Sequence, residues 1–128
     1  MPAIIFNGEV FSGTGNGKKF IDLPWVKQQI EDKLGFSPYS GTLNIRLTKE
    51  GLKKKILLEN VEEIEIKPEL GFCPGKLFRA YITYLECAIV IPKVPAYPSD
   101  VLEVIAPVYL RKELKLVDDS LVTVTVNF

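Results

Sequence analysis

Alternation of apolar and polar residues is the dominant pattern along the chain, and it predicts a protein built mainly of strands. In the segment 120–126 the run LVTVTV places an apolar residue at every second position, as in a strand with one buried and one solvated face. Leu43, Ile45 and Leu47 alternate with polar residues in the same way. By the same criteria, further strands are predicted at residues 3–11, 61–67, 76–84, 86–91 and 101–105.

A helical spacing of apolar residues occurs in one clear segment. Val26, Ile30 and Leu34 recur every fourth residue and form one apolar stripe. Gly35 follows them, where a left-handed cap commonly ends a helix. The sequence Asp22-Leu23-Pro24 predicts the start of this helix, with Asp22 as the N-cap and the proline in the first turn.

The remaining segments predict connections and one shorter helix. Residues 107–114 predict the short helix, and the lysine-rich residues 49–55 predict a solvated connection. Gly8 lies inside the first predicted strand, where glycine commonly marks a bulge or a close backbone approach. Many short strands in a chain of 128 residues favour a mainly β fold closed into a barrel, because closure removes unpaired sheet edges.

Charge and composition exclude several function classes. Sixteen basic and sixteen acidic side chains balance to zero net charge, whereas nucleic-acid-binding domains are usually basic, so we expect no nucleic-acid partner. The chain has no histidine, which excludes Ser-His-Asp catalysis, Cys-His catalysis and histidine-based metal sites. Cys73 and Cys87 form no CxxC pair and are expected to be ordinary reduced thiols.

The hydropathy of the chain predicts a cytoplasmic protein without membrane contact. No apolar run approaches the roughly 18 residues of a membrane-spanning helix. The segment MPAIIFNGEV has no basic region and no small-residue cleavage site, so we do not expect a secretory signal.

The most unusual segment is FSGTGNGKKF at residues 11–20. Backbone without side chains can bring several N–H groups close to one anion, which would make this segment a phosphate cradle. The alternative is a flexible hairpin turn. The segment does not have the Walker pattern, because Lys18 is followed by Lys19 instead of serine or threonine.

Thr42 and Asn44 lie two residues apart on the polar face of a predicted strand. A hydroxyl and an amide oxygen on one face can point at the same hard cation, and Mg²⁺ accepts such ligands when substrate phosphates supply the others. The alternative is a solvated polar face without a ligand.

Several motifs, taken in order, resemble those of the archaeal CTP-dependent riboflavin kinases. They are GTGNGK at residues 13–18, SPYSGTLN at 37–44, AIVIPK at 88–93 and LEVIAPVYLR at 102–111. The resemblance implies a six-stranded cradle-loop β-barrel, with residues 1–128 forming a single riboflavin kinase domain. It also implies transfer of the γ-phosphoryl group of CTP to the 5′-hydroxyl of riboflavin, which yields FMN and CDP. Mg²⁺ is the implied cofactor, and we expect a monomer.

The resemblance also implies which residues form the nucleotide and metal sites. Thr42 and Asn44 correspond to the Mg²⁺ ligands. The nucleotide-binding residues would be two segments, the first comprising Gly13, Thr14, Gly15, Asn16, Gly17 and Lys18 and the second Val108, Tyr109, Leu110 and Arg111. A basic residue such as Arg111 can instead complement the dipole at the end of a helix.

For the flavin site the resemblance implies a contact at Glu103 and a second one eight residues earlier. That earlier position is often threonine in the family, and here it is Pro95, which has neither a hydroxyl nor an N–H. Its carbonyl, Tyr97 or Ser99 could take over the contact. Glu103 is also the candidate general base, although we favour an orienting role for it.

Two functions without catalysis remain as alternatives. Related cradle-loop barrels include small DNA-binding regulators, and the segment LKLVDDSLVTV near the end resembles their terminal helix, turn and strand. A carrier could also bind flavin without phosphorylating it. Zero net charge and the three glycines of the early loop argue against the regulator.

Overall fold

Seven strands form where the alternation of apolar residues predicted them, in a computed structural model that describes residues 3–95 and 97–127. They range from three to nine residues in length. The strands are β1 Ala3–Phe11, β2 Leu43–Leu47, β3 Ile64–Ile66, β4 Gly75–Ile82, β5 Leu85–Pro92, β6 Val101–Ile105 and β7 Leu121–Asn127.

The strands close into an antiparallel barrel. Their order is β3-β4-β5-β6-β2-β1-β7, and a further pairing of β4 with β7 joins the two ends. Six strands therefore form the barrel, and β3 is added to β4 outside the closed ring. The predicted mainly β, six-stranded barrel is confirmed.

Two apolar clusters hold the fold together. The first fills the barrel and includes Phe6, which is fully buried. The second lies outside the barrel wall, where Val26, Ile30 and Leu34 of the helix pack against the outer faces of β3, β4 and β5. Burying one such side chain contributes roughly 1.5–3 kcal/mol. The helix therefore covers strands that are apolar on both faces.

Four α-helices and one 3₁₀ helix accompany the barrel in the described part of the chain. They are α1 Asn16–Ile21, α2 Pro24–Leu34, α3 Lys49–Lys54, the 3₁₀ helix Lys55–Asn60 and α4 Leu110–Glu113. The left-handed cap predicted at Gly35 is confirmed, with φ 82°. None of the helices in residues 3–95 and 97–127 has the length and hydrophobicity that a membrane crossing requires.

The predicted start of α2 is wrong by one residue, and the glycine segment is more helical than predicted. Leu23 is the N-cap of α2, without a side-chain cap, and Asp22 instead ends α1. The second half of the segment 11–20 belongs to α1, which begins directly after Gly15. Its six residues bury only Ile21, so the sequence has too little helical periodicity to indicate it.

The connection predicted at residues 49–55 is also wrong, because this segment forms α3. Thr48 caps the helix by accepting a hydrogen bond from the Gly51 amide at 3.1 Å. Only Gly51 is buried in α3. The helix therefore lacks the apolar stripe that indicates a helix in a sequence.

The predictions for Gly8 and for the cysteines agree with the structure. A Cβ at Gly8 would lie 2.5 Å from the Arg46 carbonyl oxygen, so this glycine permits a close strand approach. The β1–β7 register continues through it without a bulge. Cys73 is exposed and Cys87 is buried, and both are free thiols. Burial raises the pKa of the Cys87 thiol to about 12.

Candidate functional site

Strand pairing brings residues from distant parts of the chain side by side at one end of the barrel. Phe11, the last residue of β1, is paired with Asn44 of β2, and Asn44 is paired with Glu103 of β6. Two residues after Phe11, Gly13 begins the glycine segment. The register therefore places a predicted metal ligand beside a predicted flavin contact, next to the start of the glycine segment.

Two hydroxyl groups hold the Glu103 carboxylate. Thr42 donates to Oε1 at 3.0 Å and Tyr97 donates to Oε2 at 2.6 Å. Glu103 is buried, with 9% of its surface exposed. The pKa of Tyr97 is raised far above its ordinary value. Burial is the largest cause, followed by the hydrogen bond to Glu103 and the charge of that carboxylate, so the phenol remains a donor.

The glycine segment lies against this cluster at two of its three glycines, where no side chain intervenes. A Cβ at Gly17 would overlap the carboxylate of Glu103 and the hydroxyl of Thr42. A Cβ at Gly13 would lie 2.6 Å from the Asn44 amide nitrogen. Gly15 differs from both, since its Cβ would meet nothing within 4 Å and its φ is +88°. The segment from Gly13 to Asn16 is exposed on its other side.

Lys18 is connected to the turn before β2 by a residue that the sequence did not indicate as part of a site. Its ammonium group lies 3.2 Å from Asp22 Oδ2, and Ser40 donates to Asp22 Oδ1 at 2.7 Å. These two hydrogen bonds, with that of Ser40 the larger cause, lower the pKa of Asp22. Asp22 thereby joins α1 to the turn that carries Thr42.

The second predicted nucleotide segment borders an open cavity. The segment Val108 to Arg111 forms one side, and the turn at residues 39–43 forms the other. Tyr39 and Tyr109 stack across it, with ring centroids 4.9 Å apart and ring planes 8° from parallel. Leu110 is buried and anchors the segment in the barrel core.

Arg111 is held by partners from two other segments. Its guanidinium donates to Asp118 Oδ1 at 2.8 Å and to the Phe11 carbonyl at 3.3 Å. Ser12 donates to the same Asp118 carboxylate at 2.9 Å. The Arg111 hydrogen bond and then that of Ser12 lower the pKa of Asp118. Arg111 therefore forms specific hydrogen bonds, whatever its electrostatic interaction with the dipole of the four-residue helix α4.

The loop that carries Pro95 and Tyr97 is attached to the 3₁₀ helix through Lys55. The Lys55 ammonium group donates to the carbonyls of Ser99 at 3.0 Å and Val101 at 3.3 Å. It also lies 5.9 Å from the centre of the Tyr97 ring, and burial lowers its pKa. Among the described residues, Tyr97 is the one in this loop that bonds to Glu103, while Pro95 is exposed.

The donor chemistry of this cluster fits a hard cation. Thr42, Asn44 and Glu103 present a hydroxyl, an amide and a carboxylate oxygen at one end of the barrel, and Mg²⁺ prefers oxygen ligands. Residues 3–95 and 97–127 contain no group of three or more acidic, histidine or cysteine side chains that could hold a metal alone.

Sequence reasoning missed the residues that connect these elements. Asp22, Ser40 and Lys55 lie in segments that the sequence indicated only as a helix start, a turn and a solvated loop. Ser12 and Asp118 are separated by 106 positions. No local pattern in the sequence indicates such partners.

Comparison with known proteins adds an independent finding. A family model named CTP-dependent riboflavin kinase, with the description domain of unknown function DUF120, matches residues 10–126. The riboflavin kinase of Archaeoglobus fulgidus is 42% identical over 127 residues, which cover 96% of this chain and 54% of that protein. The riboflavin kinase of Pyrobaculum aerophilum is 40% identical over 126 residues, 93% of this chain and 59% of that protein.

A third relative, the riboflavin kinase of Methanosarcina barkeri, is 36% identical over 121 residues. The match covers 91% of this chain and 54% of that protein. The chain therefore spans somewhat more than half the length of these curated relatives.

Proposed function

Because this chain belongs to the CTP-dependent riboflavin kinase family, we propose that it transfers the γ-phosphoryl group of CTP to the 5′-hydroxyl of riboflavin, giving FMN and CDP. The observation that carries this proposal is the packing of the glycine segment on the cluster of Thr42, Asn44 and Glu103. Gly13 lies against Asn44, and Gly17 lies against Thr42 and Glu103. A triphosphate bound along that segment would lie next to the metal ligands.

Phosphoryl transfer suits a site of this composition. The reaction depends on positioning and on stabilising charge on phosphate oxygens, more than on a reactive side chain. A chain without histidine can therefore perform it. Good alignment of a hydroxyl with the phosphorus atom supplies on the order of 7–11 kcal/mol of the barrier reduction in favourable cases.

The nucleotide would occupy the exposed side of the glycine segment and extend toward the second segment. Backbone amides of residues 13–17 and the Lys18 ammonium group would hold the phosphates. The cavity between residues 39–43 and 108–111 would receive the nucleoside. Thr42 and Asn44 would hold Mg²⁺, which, when bound, neutralises charge on the β- and γ-phosphate oxygens.

The riboflavin hydroxyl would approach from the side of Glu103 and Tyr97. Both oxygens of Glu103 already accept hydroxyl hydrogen bonds, so this carboxylate is suited to binding a further hydroxyl in a fixed direction. We assign Glu103 an orienting role on that basis. Tyr97, rather than Pro95, would replace the threonine contact of the family, because Tyr97 already bonds to the carboxylate.

One incubation tests the proposal. The protein is mixed with riboflavin and Mg²⁺ in the presence of either CTP or ATP, and the flavins are resolved by chromatography. We expect FMN with CTP and much less with ATP. Quenching of flavin fluorescence without a product would indicate a carrier. Retardation of DNA, with neither product nor quenching, would indicate a regulator.

A further inference from the structure

A single carboxylate connects the two segments that the proposed kinase would use for its nucleotide. Asp118 lies in the turn between α4 and β7. It accepts hydrogen bonds from Arg111 at 2.8 Å and from Ser12 at 2.9 and 3.0 Å. Ser12 directly precedes the glycine segment, and Arg111 ends the segment 108–111. The two segments thus share one acceptor group.

Backbone contacts already fix the last residues of β1 without this carboxylate. The Val10 amide donates to the Ser120 carbonyl at 2.9 Å, and the Asp119 amide donates to the Val10 carbonyl at 2.7 Å. Phe11 is paired with Asn44 in the barrel. The side chain of Asp118 adds a contact one residue further along, at Ser12, where the chain leaves the strand.

Ser12 is an important place for such a contact because the glycine segment begins at the next residue. Residues 13, 15 and 17 are glycines, and glycine loses more conformational freedom on ordering than any other residue. A contact at Ser12 fixes one end of this segment before the ligand binds, which reduces the ordering cost that binding must overcome. The same carboxylate holds the Arg111 guanidinium at the edge of the cavity.

We propose that Asp118 is a positioning residue that holds the glycine segment and Arg111 in register for nucleotide binding, an inference that rests on the proposed function. In this role Asp118 acts on the nucleotide through Ser12 and Arg111. Its carboxylate is largely exposed, with 52% of the side-chain surface accessible, so it contributes little to global stability. Replacing Asp118 should therefore weaken nucleotide binding selectively.

The chain offers a matched pair of variants and a second pair at the partner residue. Asp118→Asn removes the charge and one acceptor oxygen. Asp119→Asn makes the same chemical change at the next residue, whose side chain forms no hydrogen bond among the described residues. Asparagine also tolerates the φ of 72° at that position. Ser12→Ala removes the other donor, and Ser12→Thr retains a hydroxyl.

We expect Asp118→Asn and Ser12→Ala to raise the KM for CTP by about three- to tenfold, the effect of one charge-assisted hydrogen bond. The KM for riboflavin and the kcat should stay within about twofold of the parent protein, since neither side chain borders Glu103. Asp119→Asn and Ser12→Thr should behave like the parent protein. Thermal unfolding of all four variants monitors their folding.

The outcomes separate this inference from the proposed function. If the parent protein forms no FMN with CTP, both are wrong. If the parent forms FMN while Asp118→Asn and Ser12→Ala keep its KM for CTP, the inference alone is wrong. It is equally wrong if both KM values rise together, or if Asp119→Asn matches Asp118→Asn, because either result would indicate a general structural effect.

Discussion

At the scale of single residues, the site depends on what Gly13 and Gly17 lack. Their missing side chains allow backbone to lie directly on Asn44, Thr42 and Glu103. Sequence reasoning attributed the glycines to phosphate binding on one side. The structure adds a second requirement on the opposite side, where the side chains of Asn44, Thr42 and Glu103 already occupy the space that a Cβ would need.

Gly17→Ala tests that packing. The added methyl group would overlap the side chains of Thr42 and Glu103, so the segment must move away from them. We expect FMN formation to fall by about tenfold or more, since a displacement of one ångström can cost two orders of magnitude. Gly35→Ala is the control, because a Cβ there meets nothing within 4 Å and only the cap is strained. An active Gly17→Ala protein would contradict the packing argument.

Asn44→Ala tests the proposed metal ligand. Removing the amide oxygen should lower kcat by about 10- to 100-fold, whereas binding of riboflavin, measured by fluorescence quenching, should change little. Titrating Mg²⁺ should show a higher requirement in the variant. Equal losses of turnover and flavin affinity would count against a metal role for Asn44.

Tyr97→Phe tests the hydrogen bond that holds Glu103. The ring remains, but the donor to Oε2 is lost, so we expect about 1–2 kcal/mol of lost unfolding free energy and weaker flavin binding. The raised pKa of Tyr97 sets the pH dependence. Its folded-state pKa lies above the unfolded value, so the stabilising contribution is fully present below the ordinary value of 10.0 and falls only at still higher pH.

Denaturant unfolding of parent and variant should therefore give a constant difference from neutral pH to about pH 10. A difference that vanishes near neutral pH would show that another group is responsible.

At the scale of elements, short segments that pack on the barrel position the site. The six residues of α1 carry Gly17 and Lys18 over the end of the barrel, and Asp22 connects α1 to the turn before β2 through Ser40. By contrast, α2 packs on the outer wall through its apolar stripe. The sequence predicted α2 and not α1, because only α2 is long enough to show a helical period.

Because α2 packs on the barrel wall away from the site, we expect a change in its apolar stripe to affect stability and not activity. Ile30 is fully buried against the barrel wall, so Ile30→Ala should cost about 2–5 kcal/mol of unfolding free energy. Glu31→Ala on the exposed side of the same helix should change stability by less than about 0.5 kcal/mol. Activity per folded molecule should be unchanged in both. A variant of Ile30 that keeps full stability would show that α2 is not a required part of the core.

At the scale of the whole molecule, barrel closure is the dominant property. Pairing of β4 with β7 leaves β3, a strand of three residues with Glu65 at its centre, as the added edge of the sheet. Short, charged edges disfavour pairing with a second chain. We therefore expect a monomer in size-exclusion chromatography coupled to light scattering at micromolar concentration. A stable dimer would show that another surface mediates association.

Much of the fold of this protein could be predicted from its sequence. The positions of the seven strands, the helix α2, the closed barrel and the family follow from alternation, from the spacing at Val26, Ile30 and Leu34, and from ordered motifs. The strands and α2 are visible in local patterns, since residues two positions apart in a strand lie on the same face and residues four apart in a helix do likewise. The assigned roles of the site residues remain predictions.

The tertiary structure alone decided which polar groups share a site. Tyr97 with Glu103, Asp22 with Ser40, and Ser12 with Asp118 are hydrogen-bonded pairs that no spacing rule indicates. The last pair joins residues 106 positions apart, and they meet because the closing strand β7 returns to lie beside β1. A partner of that kind is determined by the register of the closed sheet, which the local alternation of residues does not contain.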